Sequence, residues 1–270
     1  MAAFRLPVSG LDVLFRQTTG AEDILLAEET VLGTRLALTL ADALSRLPDG
    51  TTVPWDSLPV TDLDAALLAI RRSIIGEHVK SSVACAAVRQ PSRPSGESRA
   101  ACDARIDIAF HIGDYLSHHA PSVPTAASLA EQPGWFRLDG TSVMYRLVSC
   151  ADQIAISGRP DAERELARRC IRPETVARPV RRKVEAAMEK LAPSLFGDLK
   201  GNCPECGALI RVSFDPQRYV LGELRERAMF VYEEVHLLAS HYRWSEREIL
   251  ALPGSRRARY AEFANQPRMR

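Results

Sequence analysis

Two stretches of this chain repeat one another without a gap. Cys102-Asp-Ala-Arg-Ile-Asp-Ile-Ala-Phe-His-Ile-Gly-Asp-Tyr-Leu116 and Cys206-Gly-Ala-Leu-Ile-Arg-Val-Ser-Phe-Asp-Pro-Gln-Arg-Tyr-Val220 share Cys, Ala, Ile, a β-branched residue, Phe and Tyr in register. Upstream, Leu63–Gly76 is echoed by Val184–Gly197, so each copy reads as a helix, a pair of cysteines and a strand. A repeat constrains the fold because it fixes which residues occupy equivalent places. It sets Cys85 and Cys102 opposite Cys203 and Cys206.

The expected fold class is α+β and helix-rich, an internal duplication of a helix–cysteine knuckle–strand unit joined at a zinc-ribbon-like site, with a C-terminal helical extension. The first half is expected over 1–120, a Pro-rich linker over 121–143, the second half over 144–221 and the extension over 222–270. With 270 residues and 46% hydrophobic content, the chain can bury a substantial core. Alternation of Ile106, Ile108 and Phe110 with Arg105, Asp107 and Ala109, matched by Ile210, Val212 and Phe214, predicts strands with one buried face.

Other elements follow from local signals. Thr19 or Gly20 begins a helix with Glu22 and Asp23 in its first turn, and Val31–Leu47 continues helical until Pro48-Asp-Gly50. Thr61 with Asp64 reads as the cap of the first repeat helix, whose apolar face is Leu63, Leu67, Ile70 and Ile74. Trp135–Val148 reads as a hairpin around Asp139-Gly140. Asp161–Cys170 and Pro179–Leu195 are expected helices, Leu221–Tyr242 one long amphipathic helix, and Ser245-Glu-Arg-Glu248 a capping box for a short helix stopped at Pro253-Gly254.

Cys203-Pro-Glu-Cys206-Gly has the spacing of a metal knuckle, in which a tight loop turns two thiolates toward one point and Gly207 supplies a positive φ. If the halves pack about a pseudo-two-fold axis, Cys85, Cys102, Cys203 and Cys206 complete one structural zinc site. Sixteen residues separate Cys85 from Cys102, far from knuckle spacing. A second reading therefore has this insertion detaching the first pair from the metal, and a third makes the cysteines a reversible disulfide. Cys150 and Cys170 lie outside the repeat register and read as small buried hydrophobes.

Composition narrows the function classes. Lys+Arg 35 against Asp+Glu 34 gives a net charge of +1 without a long run of one sign, so bulk charge does not point to nucleic acid. No apolar stretch reaches bilayer-spanning length and no signal peptide is evident, which together with the cysteine spacing gives a cytoplasmic expectation. His118 and His119, and His236 and His241, read as surface or cap histidines. No Ser/His/Asp order or phosphate loop suggests a reaction centre, so no enzyme is expected. The arginines of Arg256–Arg259 and Arg268–Arg270 read as a solvated face.

The ordered motifs Gly20-Ala-Glu-Asp-Ile-Leu-Leu-Ala-Glu28, Leu58-Pro-Val-Thr-Asp-Leu-Asp64, Phe110–Leu116, Cys203–Cys206, Tyr242–Pro253 and Arg259-Tyr-Ala-Glu262 resemble the T-even phage type of baseplate hub assembly chaperone. The resemblance runs across most of the chain, and the insertion after Cys85 departs from it. It implies a non-catalytic role in assembling, or forming part of, the baseplate of a phage-tail-like contractile injection system, with hub or spike proteins as partners. Tyr232, Leu238, Tyr242 and Trp244 would then be candidate anchors for such a partner. The rival class is a zinc-ribbon nucleic-acid-binding or regulatory protein.

Overall fold

A computed structural model describes residues 2–85, 102–124 and 127–266. Helices occupy about 48% of the described residues and the sheets are small and antiparallel, which makes the protein α+β. The chain opens with a hairpin, β1 (Ala2–Arg5) and β2 (Asp12–Phe15), followed by α1 (Gly20–Glu28), α2 (Thr34–Leu44) and β3 (Ser45–Arg46), which pairs with β2. Then come α3 (Val60–Ile74), the hairpin β4 (His78–Ala84) and β5 (Arg105–His111), and α4 (Ile112–His118).

The second part runs through a comparable order. A four-stranded sheet is built from β6 (Ala127–Leu129), β7 (Trp135–Leu138), β8 (Met144–Arg146) and β9 (Ile171–Arg172), with α5 (Cys150–Ile156) and α6 (Ala162–Cys170) between its last two strands. There follow α7 (Arg178–Leu191), the hairpin β10 (Gly197–Asn202) and β11 (Leu209–Phe214), and α8 (Pro216–Ala228). Hairpin, two helices, short strand, helix, hairpin and helix follow in that order in both parts, with β6 additional in the second and a 3-10 turn at Trp55–Ser57 additional in the first. The expected 121–143 linker holds β6 and β7, and the hairpin about Asp139-Gly140 forms with Trp135 opposite Arg146.

One turn shows how closely the two parts follow the same local physics. Arg16 forks onto Glu22, and the Glu22 carboxylate accepts from the Thr19 backbone amide at 2.9 Å and from its hydroxyl at 3.1 Å. Arg146 forks onto Asp152 in the same spacing, and Asp152 accepts from the Ser149 amide at 3.0 Å and its hydroxyl at 2.9 Å. In each case an acid in the first helical turn satisfies the cap and an arginine two strand-ends away neutralises it. Against the opposing effect of burial, Arg146 and the Ser149 amide hold Asp152 down to about 2. Each turn also forms a short antiparallel bridge to a Leu-Pro step that begins a helix: Ser149 to Pro59 ahead of α3, and Thr19 to Pro253.

The largest core gathers α1, α2, α3 and α8. Helix α3 is buried on nearly every side, from Thr61 to Arg71, rather than along the single stripe of Leu63, Leu67, Ile70 and Ile74. Its polar residues do not cap it as expected. Pro59 is the N-cap; Thr61 donates to the Pro193 carbonyl at 3.0 Å, Asp62 accepts from the amides of Val8 and Ser9, and Asp64 accepts from Gln217 at 2.8 Å. A helix enclosed by neighbours on all sides turns its polar side chains into tertiary contacts.

The segment read as one helix over 221–242 is two. Helix α8 ends at Ala228 and α9 (Val231–Tyr242) starts after Met229 and Phe230. Ala228 and Val231 are both buried while Met229 and Phe230 are exposed, so the bend lets α8 pack on α1 and α3 while α9 packs on α10 and α11 and still reaches α1. The capping box at Ser245 starts α10 (Glu246–Leu250), with the Ser245 hydroxyl accepting from the Glu248 amide. Pro253-Gly254, read as a stop, is also a start: Pro253 is the N-cap of α11 (Gly254–Asn265). Arg257, within the stretch read as solvated, is 3% exposed and paired with Asp23 of α1 and Glu234 of α9. Arg268–Arg270 lies outside the described residues.

Candidate metal centre

The β4–β5 and β10–β11 hairpins carry the four cysteines at their tips. Their ladders run from His78 opposite His111 to Ala84 opposite Arg105, and from Gly197 opposite Phe214 to Asn202 opposite Leu209. Beyond each ladder the same bond follows. Cys85 donates its amide to the Ala104 carbonyl at 2.9 Å, and Cys203 donates to Ala208 at 2.9 Å. Cys85 and Cys203 thus make the same backbone bond just past their ladders.

The two tips face each other. Cys85 Sγ lies 3.7 Å from Cys206 Sγ and Cys102 Sγ lies 3.9 Å from Cys203 Sγ, and all four sulfurs fall within 4.8 Å of one another. These separations are far longer than the roughly 2.05 Å of a disulfide. They match the edge of a tetrahedron: four thiolates about 2.3 Å from one ion stand about 3.8 Å apart. Sixteen intervening residues have not displaced Cys85 and Cys102 from this cluster; residues 86–101 themselves lie outside the described residues.

Local structure prepares the donors. Gly207 takes φ +72°, as the knuckle requires, and its amide bonds back to the Cys203 carbonyl at 2.9 Å. Burial raises the Cys203 thiol, but the backbone amides of Cys206 and Glu205 outweigh it and bring the thiol down to about 7. A thiol held this low is partly in the thiolate form, the form that coordinates a metal, near neutral pH. The cysteines pack with Ala104, Ile106, Ala208 and Ile210 into a small cluster of their own, separate from the main core.

At the other end of the hairpins, equivalent aromatics meet. Phe110 and Phe214 stand edge to face at 5.3 Å, Tyr115 lies 5.1 Å from Phe110 and 5.3 Å from Phe214, and Tyr219 lies 5.4 Å from Phe214. Tyr115 donates its hydroxyl to the Leu195 carbonyl at 2.7 Å. The two hairpins are therefore joined at both ends, by aromatic packing at the base and by sulfur at the tip.

Comparison of the chain with family models, curated proteins and solved structures returned no match. Its chemistry is read from its own residues.

The remaining candidate residues are distributed as follows. Cys150 and Cys170 are buried away from the cluster, and burial raises the Cys170 thiol to about 12. His118 ends α4, and His119 sits at its C-cap with Nδ1 2.9 Å from the Tyr115 carbonyl. Of the expected anchors, Leu238 is fully buried in the protein's own packing and is not available to a partner. Tyr242 and Trp244 stack at 4.8 Å with Tyr260 across their edges, half-buried in an internal aromatic cluster. Tyr232 is exposed and donates to Glu28 at 2.7 Å. Met229 and Phe230, beside it, are exposed too; the sequence placed them inside a continuous helix, which hid them. Among the described residues no helix is long and apolar enough to cross a membrane.

Proposed function

We propose that this protein is a non-catalytic assembly factor or structural component of the baseplate hub of a phage-tail-like contractile injection system, with its body pinned by one structural zinc. In this reading the two halves descend from duplication of one unit, and the paired hairpin tips form a zinc-ribbon-like site. A set of four sulfurs favours zinc or an iron–sulfur centre, and a closed four-cysteine cage without an open ligand position suits the structural metal.

One observation supports this reading. The separate stretches that bear the family resemblance pack on one another: a Cβ added to Gly20 would stand 2.6 Å from Leu250 Cδ2 and 2.8 Å from Arg257 Nη1. Glycine at position 20 is thus required by the Tyr242–Pro253 stretch, which gives the ordered motifs a common physical purpose in shaping one scaffold. A rigid body clamped at both ends of its hairpins, with Met229, Phe230 and Tyr232 exposed at a helix bend, suits an adaptor between larger proteins.

Affinity capture of the tagged protein from cells expressing a contractile-tail gene set tests the role. Recovery of hub or spike proteins supports it. Co-purification of nucleic acid, with no tail protein, replaces it by the zinc-ribbon nucleic-acid binder.

A further inference from the structure

The second half carries a charge that its counterpart does not. Between Arg159 and Lys183 there are nine arginines and lysines against four acidic residues, in a chain whose overall balance is +1. Arg164, Arg178, Arg182 and Lys183 are all exposed, and among the described residues none of them makes an ion pair. Between α6 and α7 lies a cleft of about 340 Å³ lined by Arg164, Arg168, Arg181 and Glu174 together with Ile171 and Val176.

The equivalent face of the first half is covered by protein. Aligning Leu63 with Val184, as the repeat does, sets Thr61, Asp62 and Asp64 of α3 against Arg182, Lys183 and Glu185 of α7. The three α3 residues are buried beneath the Val8–Ser9 turn, the Pro193 carbonyl and Gln217. The three α7 residues are exposed. A stretch that is closed internally in one half is thus exposed in the other.

We infer that the α6–α7 face is a docking surface for an acidic protein segment that also carries apolar side chains. Charge complementarity supplies the attraction and the orientation. The chemistry of the cleft selects protein over a phosphate backbone. Glu163, Glu165 and Glu174 are interspersed among the arginines and pair with Arg168, Arg169 and Arg181, which breaks up the continuous positive track that nucleic acid needs. Ile171 and Val176 offer a leucine-sized partner an apolar wall that a phosphate cannot use. The inference does not depend on the baseplate assignment.

Fluorescence anisotropy on the full chain tests it, with a labelled peptide of about twelve residues repeating Glu-Asp-Leu and a single-stranded oligonucleotide of similar length, at about 50 and about 300 mM salt. The peptide is expected to bind more tightly than the oligonucleotide and to weaken when its leucines become alanines. Combined Arg164→Glu, Arg178→Glu and Arg182→Glu is expected to weaken the peptide about tenfold or more. The same positions changed to Gln should give an intermediate loss, while Arg35→Glu, Arg247→Glu and Arg256→Glu, an equal charge change elsewhere on the surface, should leave binding within about twofold. Preference for the oligonucleotide, equal loss in the two charge-reversed proteins, or no peptide binding at low salt overturns the inference.

Discussion

Arg257 donates to the Asp23 carboxylate across 234 positions of sequence, tying the last helix to the first. Its Nε reaches Glu234 as well, so a single guanidinium holds α1, α9 and α11 together with only 4% of its side chain exposed. Buried ion pairs add little compared with apolar packing, but losing one partner strands the others. Arg257→Ala is therefore expected to destabilise the protein by about 3 kcal/mol. Urea unfolding followed by circular dichroism measures this. Arg257→Lys should recover only part of the loss, since one ammonium cannot reproduce the fork.

Each of Cys85→Ser, Cys102→Ser, Cys203→Ser and Cys206→Ser is expected to abolish a stoichiometry of one zinc per chain in elemental analysis of protein purified without chelator. The first pair counts equally with the second because its sulfurs belong to the same four-cysteine cluster. A chelator should lower the melting temperature of the native chain and leave the serine variants unmoved. Retention of metal by Cys85→Ser would show that the first hairpin tip is dispensable.

Phe214 is the aromatic that touches Phe110, Tyr115 and Tyr219 and is 6% exposed. Phe214→Ala is expected to cost about 3–4 kcal/mol through lost burial and the cavity it leaves. Tyr115→Phe, which strands the Leu195 carbonyl, should cost about 1–2 kcal/mol. Comparing chemical unfolding midpoints at constant slope separates the two.

Two buried carboxyls give opposite pH signatures. Asp152, held down to about 2 by Arg146 against its burial, contributes stability that is complete above the ordinary value of 3.8 and is lost as pH falls from there toward 2. Asp64 goes the other way. Burial raises it to about 7, with Asp215 adding to the rise and Gln217 opposing it, so the folded state keeps a proton the unfolded chain gives up. Stability from this group falls as pH rises from 3.8 to 7 and is level beyond. Asp64→Asn should accordingly be neutral near pH 4 and stabilising by up to ~4 kcal/mol near pH 8. Denaturation of both proteins across that range decides the sign; equal stability differences at the two ends would place the Asp64 proton elsewhere.

Truncation after Tyr219 removes Val220, Leu221, Leu224 and Ala228, all of them core residues, and should yield insoluble protein. Truncation after Tyr242 removes α10 and α11 but spares α8, and is expected to stay folded with reduced stability and full zinc content. Expression yield and elemental analysis of the two truncations make the comparison.

Sequence patterns reported local physics well. The Thr19 and Ser245 helix starts, the Asp139-Gly140 hairpin and the alternation in β5 and β11 each depend on neighbours a few residues apart, and each formed. The cysteine quartet was legible for another reason: the repeat stood in for distance information. What the sequence concealed was set by packing between remote segments. No glycine or proline marks the bend at Met229, where α8, packed on α1 and α3, gives way to α9, packed mainly on α10 and α11. Leu238 and Arg257 look like any surface-helix leucine and arginine until the elements around them are assembled. Thr61 and Asp64 carry a cap signature that their burial redirects to Pro193 and Gln217. Pro253-Gly254 combines a helix stop with a helix start, and only the bridge to Thr19 distinguishes the second role.

The pairing of sulfurs across the hairpins also imposes an order of events during synthesis. Cys85 waits for Cys206, 121 residues later, and Cys102 for Cys203, 101 residues later. An ion bound by all four cannot be captured while the first half alone has left the ribosome. The arrival of such an ion would therefore report completion of the second hairpin.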